Sequence, residues 1–175
     1  MLRRWMPLVL TLAGCGRIHQ HSERYVVVDA ADARDPLASI GLEPTRTESD
    51  EGFDREIREG APYTVYLRSR VEQRVDAPLR LHELRLHIGT RHVDIHDASK
   101  PALEAPLAPS GEPNHWDALI RVPLGDQLAF VEGDVVSLEL ELTVPGEERP
   151  RTLTRAYRGE IEDASGAKID AIVGQ

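Results

Sequence analysis

The chain has 175 residues and only one cysteine, so an internal disulfide is excluded. Aromatic residues make up 5% of it, and lysine occurs only at Lys100 and Lys168. Both methionines, Met1 and Met6, lie at the N-terminus, so the rest of the chain has no thioether of the kind that suits Cu(I). Positive charge is scarce: 21 Lys+Arg stand against 30 Asp+Glu, a net charge of -9 with no basic stripe. That balance argues against a general nucleic-acid binder. No apolar run approaches the ~20 residues that span a bilayer as a helix. There is no Gly-x-Ser-x-Gly nucleophile signature and no phosphate-cradling glycine loop. What the chain does have is a 41% hydrophobic fraction, enough to argue against wholesale disorder, and a length suited to one domain.

The N-terminus carries the most specific pattern. Arg3 and Arg4 precede a short apolar run from Trp5 to Leu12, which has the length of a signal-peptide core. The run ends in Leu12-Ala13-Gly14-Cys15. A leucine, two small residues and a cysteine form the lipobox, and in these first 15 residues the chain resembles bacterial lipoproteins. The resemblance implies cleavage between Gly14 and Cys15, a diacylglycerol on the Cys15 thiol and acylation of the new amine. Three acyl chains anchor a protein stably, where one binds marginally. It also implies the cell envelope as location. Gly16 in place of an aspartate favours the outer membrane, facing the periplasm, over the inner membrane. The alternative is a buried free cysteine behind an ordinary signal peptide. Three segments are expected: signal peptide 1–14, lipidated Cys15 with a polar tether to residue 24, and a folded domain over 25–175. Removing residues 1–14 leaves 161 residues and takes the charge to -11, because Arg3 and Arg4 go with them.

The remainder reads as β-structure. Tyr25-Val26-Val27-Val28 suggests a first strand. Residues 30–60 are rich in acids and turn formers, with Phe53 and Ile57 suggesting a helical turn. Tyr63, Val65, Leu67, Ser69 and Val71 alternate with Thr64, Tyr66, Arg68, Arg70 and Glu72, the period of a half-buried strand. Leu84, Leu86 and Ile88, then Val93 and Ile95, flank Gly89-Thr90, which fits a type II′ hairpin turn. That register sets His87 opposite His92, Arg85 opposite Asp94, Leu86 opposite Val93, Leu84 opposite Ile95 and Glu83 opposite His96. Four prolines make 97–115 a long connection. Ala118, Ile120, Val122 and Leu124 mark another strand, and Val136 to Val144 the cleanest one. Thr152 to Ile161 is its expected partner, followed by a turn at Asp163-Ala164-Ser165-Gly166 and a short last strand over 168–173. Many short strands and no strong helix predict an all-β fold, a single antiparallel β-sandwich of immunoglobulin-like or transthyretin-like type. The Cys-Trp-Cys signature of antibody domains is absent.

Two sets of residues carry candidate chemistry. His87 and His92, with His96, Glu83 and Asp94 on the same expected face, supply imidazoles and carboxylates of the kind that hold Zn²⁺ or Cu²⁺. The plain alternative is a solvated strand face. Asn114-His115-Trp116, at the exit of the proline-rich connection, offers a partner-binding loop, unless Trp116 fills the core. The acids between Glu48 and Glu59 do not match a calcium loop, since Gly52 stands where a ligand belongs. No catalytic set emerges, although a carboxylate pair of a hydrolase would not show in sequence. The expectation is a non-catalytic, lipid-anchored interaction or accessory module. Its partners would be the membrane, through the lipid, and an envelope protein, not nucleic acid. Metal or small-ligand binding by the hairpin is the alternative, and an envelope hydrolase the third reading. The covalent lipid on Cys15 is the one non-protein group expected, with Zn or Cu as the alternative's ion.

Overall fold

A computed structural model describes residues 16–28, 37–52 and 54–168. Cys15, the signal segment, Phe53 and residues 169–173 of the expected last strand lie outside the described residues.

The described chain is all-β. Its ten strands are β1 (Gly16–Val27), β2 (Ala38–Glu51), β3 (Asp54–Val71), β4 (Leu79–Ile88), β5 (Arg91–His96), β6 (Leu103–Ala105), β7 (Ala108–Pro109), β8 (Trp116–Gly125), β9 (Val135–Thr143) and β10 (Arg151–Lys168). They form one sheet in the order β5-β4-β9-β10-β1-β3-β8-β7, with β2 added to β3 and β6 to β4. The expected antiparallel pairing holds everywhere but one place, where Ile18–Ser22 of β1 runs parallel to Arg55–Glu59 of β3.

Alternation explains why these segments are strands. Tyr63, Val65 and Leu67 of β3 are buried, as are Ala118, Ile120, Val122 and Leu124 of β8 and Val136, Leu138, Leu140 and Leu142 of β9. Burying one face of each strand curls the sheet on itself, so that the β4–β9–β10 part packs on the β2–β3–β8 part as the two layers of a sandwich. The Tyr157 hydroxyl donates to the Ile40 carbonyl at 3.1 Å, joining β10 to β2 across the core. Burial pushes that phenol up to about 12. Gly159 sits where a Cβ would stand 2.5 Å from the Val131 carbonyl oxygen, so the 128–134 connection can lie directly over β10.

Four strands continue beyond this body. The outer parts of β10, β1, β3 and β2 lie side by side as an arm, with Glu162–Lys168 against Gly16–Ser22, and Thr45–Glu51 against Asp54–Gly60. Three expectations are corrected here. The stretch 16–24 is no tether, because its backbone is paired within β1, with β10 throughout and with β3 at Ile18–Ser22. The described residues between 38 and 60 contain no helical turn, and Ile57 is buried as a strand residue of β3. Asp163–Gly166 is no turn, since β10 runs through it opposite Ile18–His21. In each case backbone pairing overrides a polar local sequence.

Candidate functional site

The β4–β5 hairpin turns where the sequence places it. Gly89 has φ 58, while Thr90 keeps a negative φ, as a type II′ turn requires. His87 pairs with His92, Leu86 with Val93 and Arg85 with Asp94. Beyond that the register shifts, and Leu84 pairs with His96 instead of Ile95. Ile95 is the extra residue of a bulge and packs towards the core, and His96 follows it inward to 7% exposure. His96 therefore leaves the face that holds His87, and the expected Glu83–His96 pair is not made. Glu83 lies opposite Glu141 of β9 instead.

The two carboxylates expected beside the histidines are both claimed by Arg85. Its Nε is 2.9 Å from Asp94 Oδ1, and its Nη2 is 2.8 Å from Glu83 Oε2. The hydrogen bond to Asp94 leads in raising the guanidinium above its ordinary pKa. His87 and His92 do come together, with ring centroids 6.1 Å apart and planes tilted by 41°. The acid that meets His87 is one the sequence did not single out. Glu139 of β9 places Oε2 3.3 Å from His87 Nε2, and that nitrogen is buried without a hydrogen bond. The alternation of β9 puts Glu139 on the outer face, but only strand order shows that β9 lies against β4. Among the described residues, no three His, Cys, Asp or Glu side chains stand already grouped for a metal ion.

The proline-rich connection is tied to the sheet at both of its short strands. β6 pairs with the start of β4, and β7 with the start of β8. Ala105 is buried and Leu107 packs against the core. Trp116 is half-buried and lies outside the core cluster, with the Arg74 guanidinium 5.3 Å above its ring. Such a stack contributes about 0.5–1 kcal/mol and covers one face of the ring. Asn114 is exposed with φ 61, the only non-glycine residue with positive φ among those described. His115 closes the turn through its carbonyl, which accepts from the Ser110 amide at 2.9 Å. Asn114 and His115 thus lead directly into β8, which Trp116 begins.

A hollow of ≈ 450 Å³ lies instead on the outer face of β2, β3 and β8, lined by Ser39, Gly41, Tyr66, Arg68, Asp117 and Leu119. Gly41 leaves the Tyr66 ring uncovered on one side, and Arg121 lies over the ring at 5.7 Å. Burial opposes ionisation of Asp117, but hydrogen bonds from Arg70 and Arg68 outweigh it and hold the carboxyl below its ordinary pKa. Sequence alternation put Tyr66 and Arg68 on an outward face without revealing which strands flank them.

No known protein family matches the chain, and no curated protein or solved structure is significantly similar to it.

Proposed function

We propose that the chain is a lipid-anchored envelope protein whose β-sandwich serves as a non-catalytic interaction module. The observation that carries this reading is Leu12-Ala13-Gly14-Cys15, a lipobox built on the chain's sole cysteine. The arm supports it. β1 begins at Gly16, the residue after the lipidation position, so no slack segment separates a lipidated Cys15 from the paired strands. The arm residues Gly16–Ser22, extended, reach ~23 Å. The arm would thus hold the body at a set distance from the membrane. Its end carries the exposed acids Glu48, Asp50, Glu51 and Asp54, which repel anionic headgroups. For partners it offers the arm's outer strands: among the described residues, Thr45–Glu51 of β2 pairs only with β3 and Glu160–Lys168 of β10 only with β1, so a protein strand can add there. The lipid raises the local concentration of the module for neighbours on the same surface.

The test is fractionation of cells expressing the full chain or its Cys15→Ala variant, with crosslinking in both. The wild type is expected in the membrane fraction, crosslinked to an envelope protein. The variant is expected to be folded, soluble and without that crosslink. A Cys15→Ala chain that stays membrane-bound overturns the anchor.

A second reading, metal binding by the hairpin face, is favoured by one observation: the buried, unbonded Nε2 of His87 lies 3.3 Å from Glu139 Oε2, on a ring whose centroid is 6.1 Å from that of His92.

A further inference from the structure

We infer that Glu139 of β9 is the third ligand of a Zn²⁺ site completed by His87 and His92. The inference rests on the second reading above and replaces Glu83, Asp94 and His96 as the acid and imidazole partners.

Three observations carry it. First, His87 Nε2 is buried and makes no hydrogen bond, although a carboxylate oxygen lies 3.3 Å away. A buried polar atom left unbonded needs an explanation, and a bound cation supplies one. Second, the 3.3 Å spacing is that of two ligands on one ion. Zn–N and Zn–O bonds of about 2.0–2.1 Å at a tetrahedral angle separate the ligand atoms by about 3.3 Å. Third, two imidazoles on one ion have ring centres about 5–6.4 Å apart by the same bond lengths. Those of His87 and His92 are 6.1 Å apart.

The surrounding charges leave Glu139 available. Arg85 holds Asp94 and Glu83 at 2.9 and 2.8 Å but meets Glu139 only at 3.6 Å, and through the other carboxylate oxygen, Oε1. Oε2 is therefore free to face His87. Nor does the backbone resist: β4 pairs with β5 on one side and β9 on the other, so all three ligands stand on adjacent strands. Because no three ligands are already grouped, binding includes rotation of the exposed His92 side chain about its own bonds. Two imidazoles and one carboxylate suit Zn²⁺ and leave a fourth position for water or a partner's side chain.

The experiment is calorimetric titration of the purified chain with Zn²⁺ alone, followed by Co²⁺ absorption to report tetrahedral geometry. The chain is compared with Glu139→Gln, His87→Ala and, as a control from the arm, His19→Ala. The expected result is one equivalent bound by wild type and His19→Ala. Affinity should fall by about tenfold or more in Glu139→Gln, and binding should disappear in His87→Ala. Circular dichroism confirms that each variant is folded. If Glu139→Gln binds like wild type while His87→Ala does not, this inference is overturned and the hairpin reading survives. If wild type binds no Zn²⁺, or His87→Ala binds as well as wild type, both are overturned.

Discussion

β1, β2, β3 and β10 each run from the body into the arm, and the same strands are held by different forces in the two places. In the body, Leu140 of β9 lies between Leu84 of β4 and Leu153 of β10, and it is fully buried. Burying a leucine contributes about 1.5–3 kcal/mol. In the arm, the outer seven residues of β2 are all exposed, and ion pairs replace apolar contacts. Glu48 pairs with Arg46 and Arg55, Glu56 with Arg58, and Asp163 with His21. Exposed pairs of this kind contribute about 0–1 kcal/mol each. The arm therefore depends on its backbone ladder and on the few groups that are shielded, such as Ile57, Ser22 and Glu59. The comparison teaches that strand length here is set by backbone pairing, while stability is set by which part of the strand is covered.

The largest expected effect comes from breaking the body. Leu140→Ala leaves a cavity between two layers and should cost about 2–5 kcal/mol in urea unfolding. The arm should unfold with the body, because its four strands are continuations of body strands. Arm amides that stay protected in this variant after the core has melted would show the arm to be a separate unit.

The same contrast decides what could be read from the sequence. In the body the apolar residues alternate, so β3, β4, β8 and β9 are legible with their inner faces. The β4–β5 turn is legible too, since Gly89-Thr90 fixes the first four pairs. Past them, a count of period two cannot foresee the bulge at Ile95, and this misplaced His96. In the arm no apolar alternation exists: the acids from Glu48 to Glu59 read as a solvated loop, and 16–24 as a tether. Their pairing is with segments more than a hundred residues away in the case of β1 and β10. Long-range partners leave no mark on local polarity. For the candidate site, His87 and His92 were legible because their pairing is local. Glu139 and the Tyr66 hollow were not, because both depend on strand order.

A smaller effect, confined to the arm, is expected at Glu59. Its side chain is 13% exposed, accepts from the Ser22 hydroxyl at 2.9 Å and takes Arg24 at 2.5 Å. The Arg24 hydrogen bond is the main reason its carboxyl sits below the ordinary 4.5, with burial opposing and Ser22 assisting. A lowered carboxyl contributes stability that is complete above pH 4.5 and is lost as pH falls through the folded-state value. Glu59→Gln should remove this acid dependence and cost about 1 kcal/mol, read as faster hydrogen exchange in 16–24 and 54–60. Equal acceleration across β4 and β9 would erase the distinction between arm and body.

The smallest effect runs with the opposite sign of pH. His21 Nδ1 is 2.7 Å from Asp163 Oδ1, across the β1–β10 pair, and 3.7 Å separates its Nε2 from Glu23. The bond to Asp163 leads in raising the imidazole above 6.5, against some loss from burial. A raised imidazole contributes stability that is complete below pH 6.5 and is lost as pH rises through the folded-state value. Protection factors for 19–22 and 162–165, corrected for intrinsic exchange, should therefore fall between pH 6 and 8.5. His21→Gln should flatten that profile, while Leu138 and Leu140 in β9 stay unchanged in both proteins. Protection that is constant or rising over this range would mean that the β1–β10 ladder holds the arm without its histidine. Together with the Glu59 dependence, a falling profile defines an interval between the two titrations in which the arm is most firmly paired, whereas the buried leucines that hold the body do not titrate.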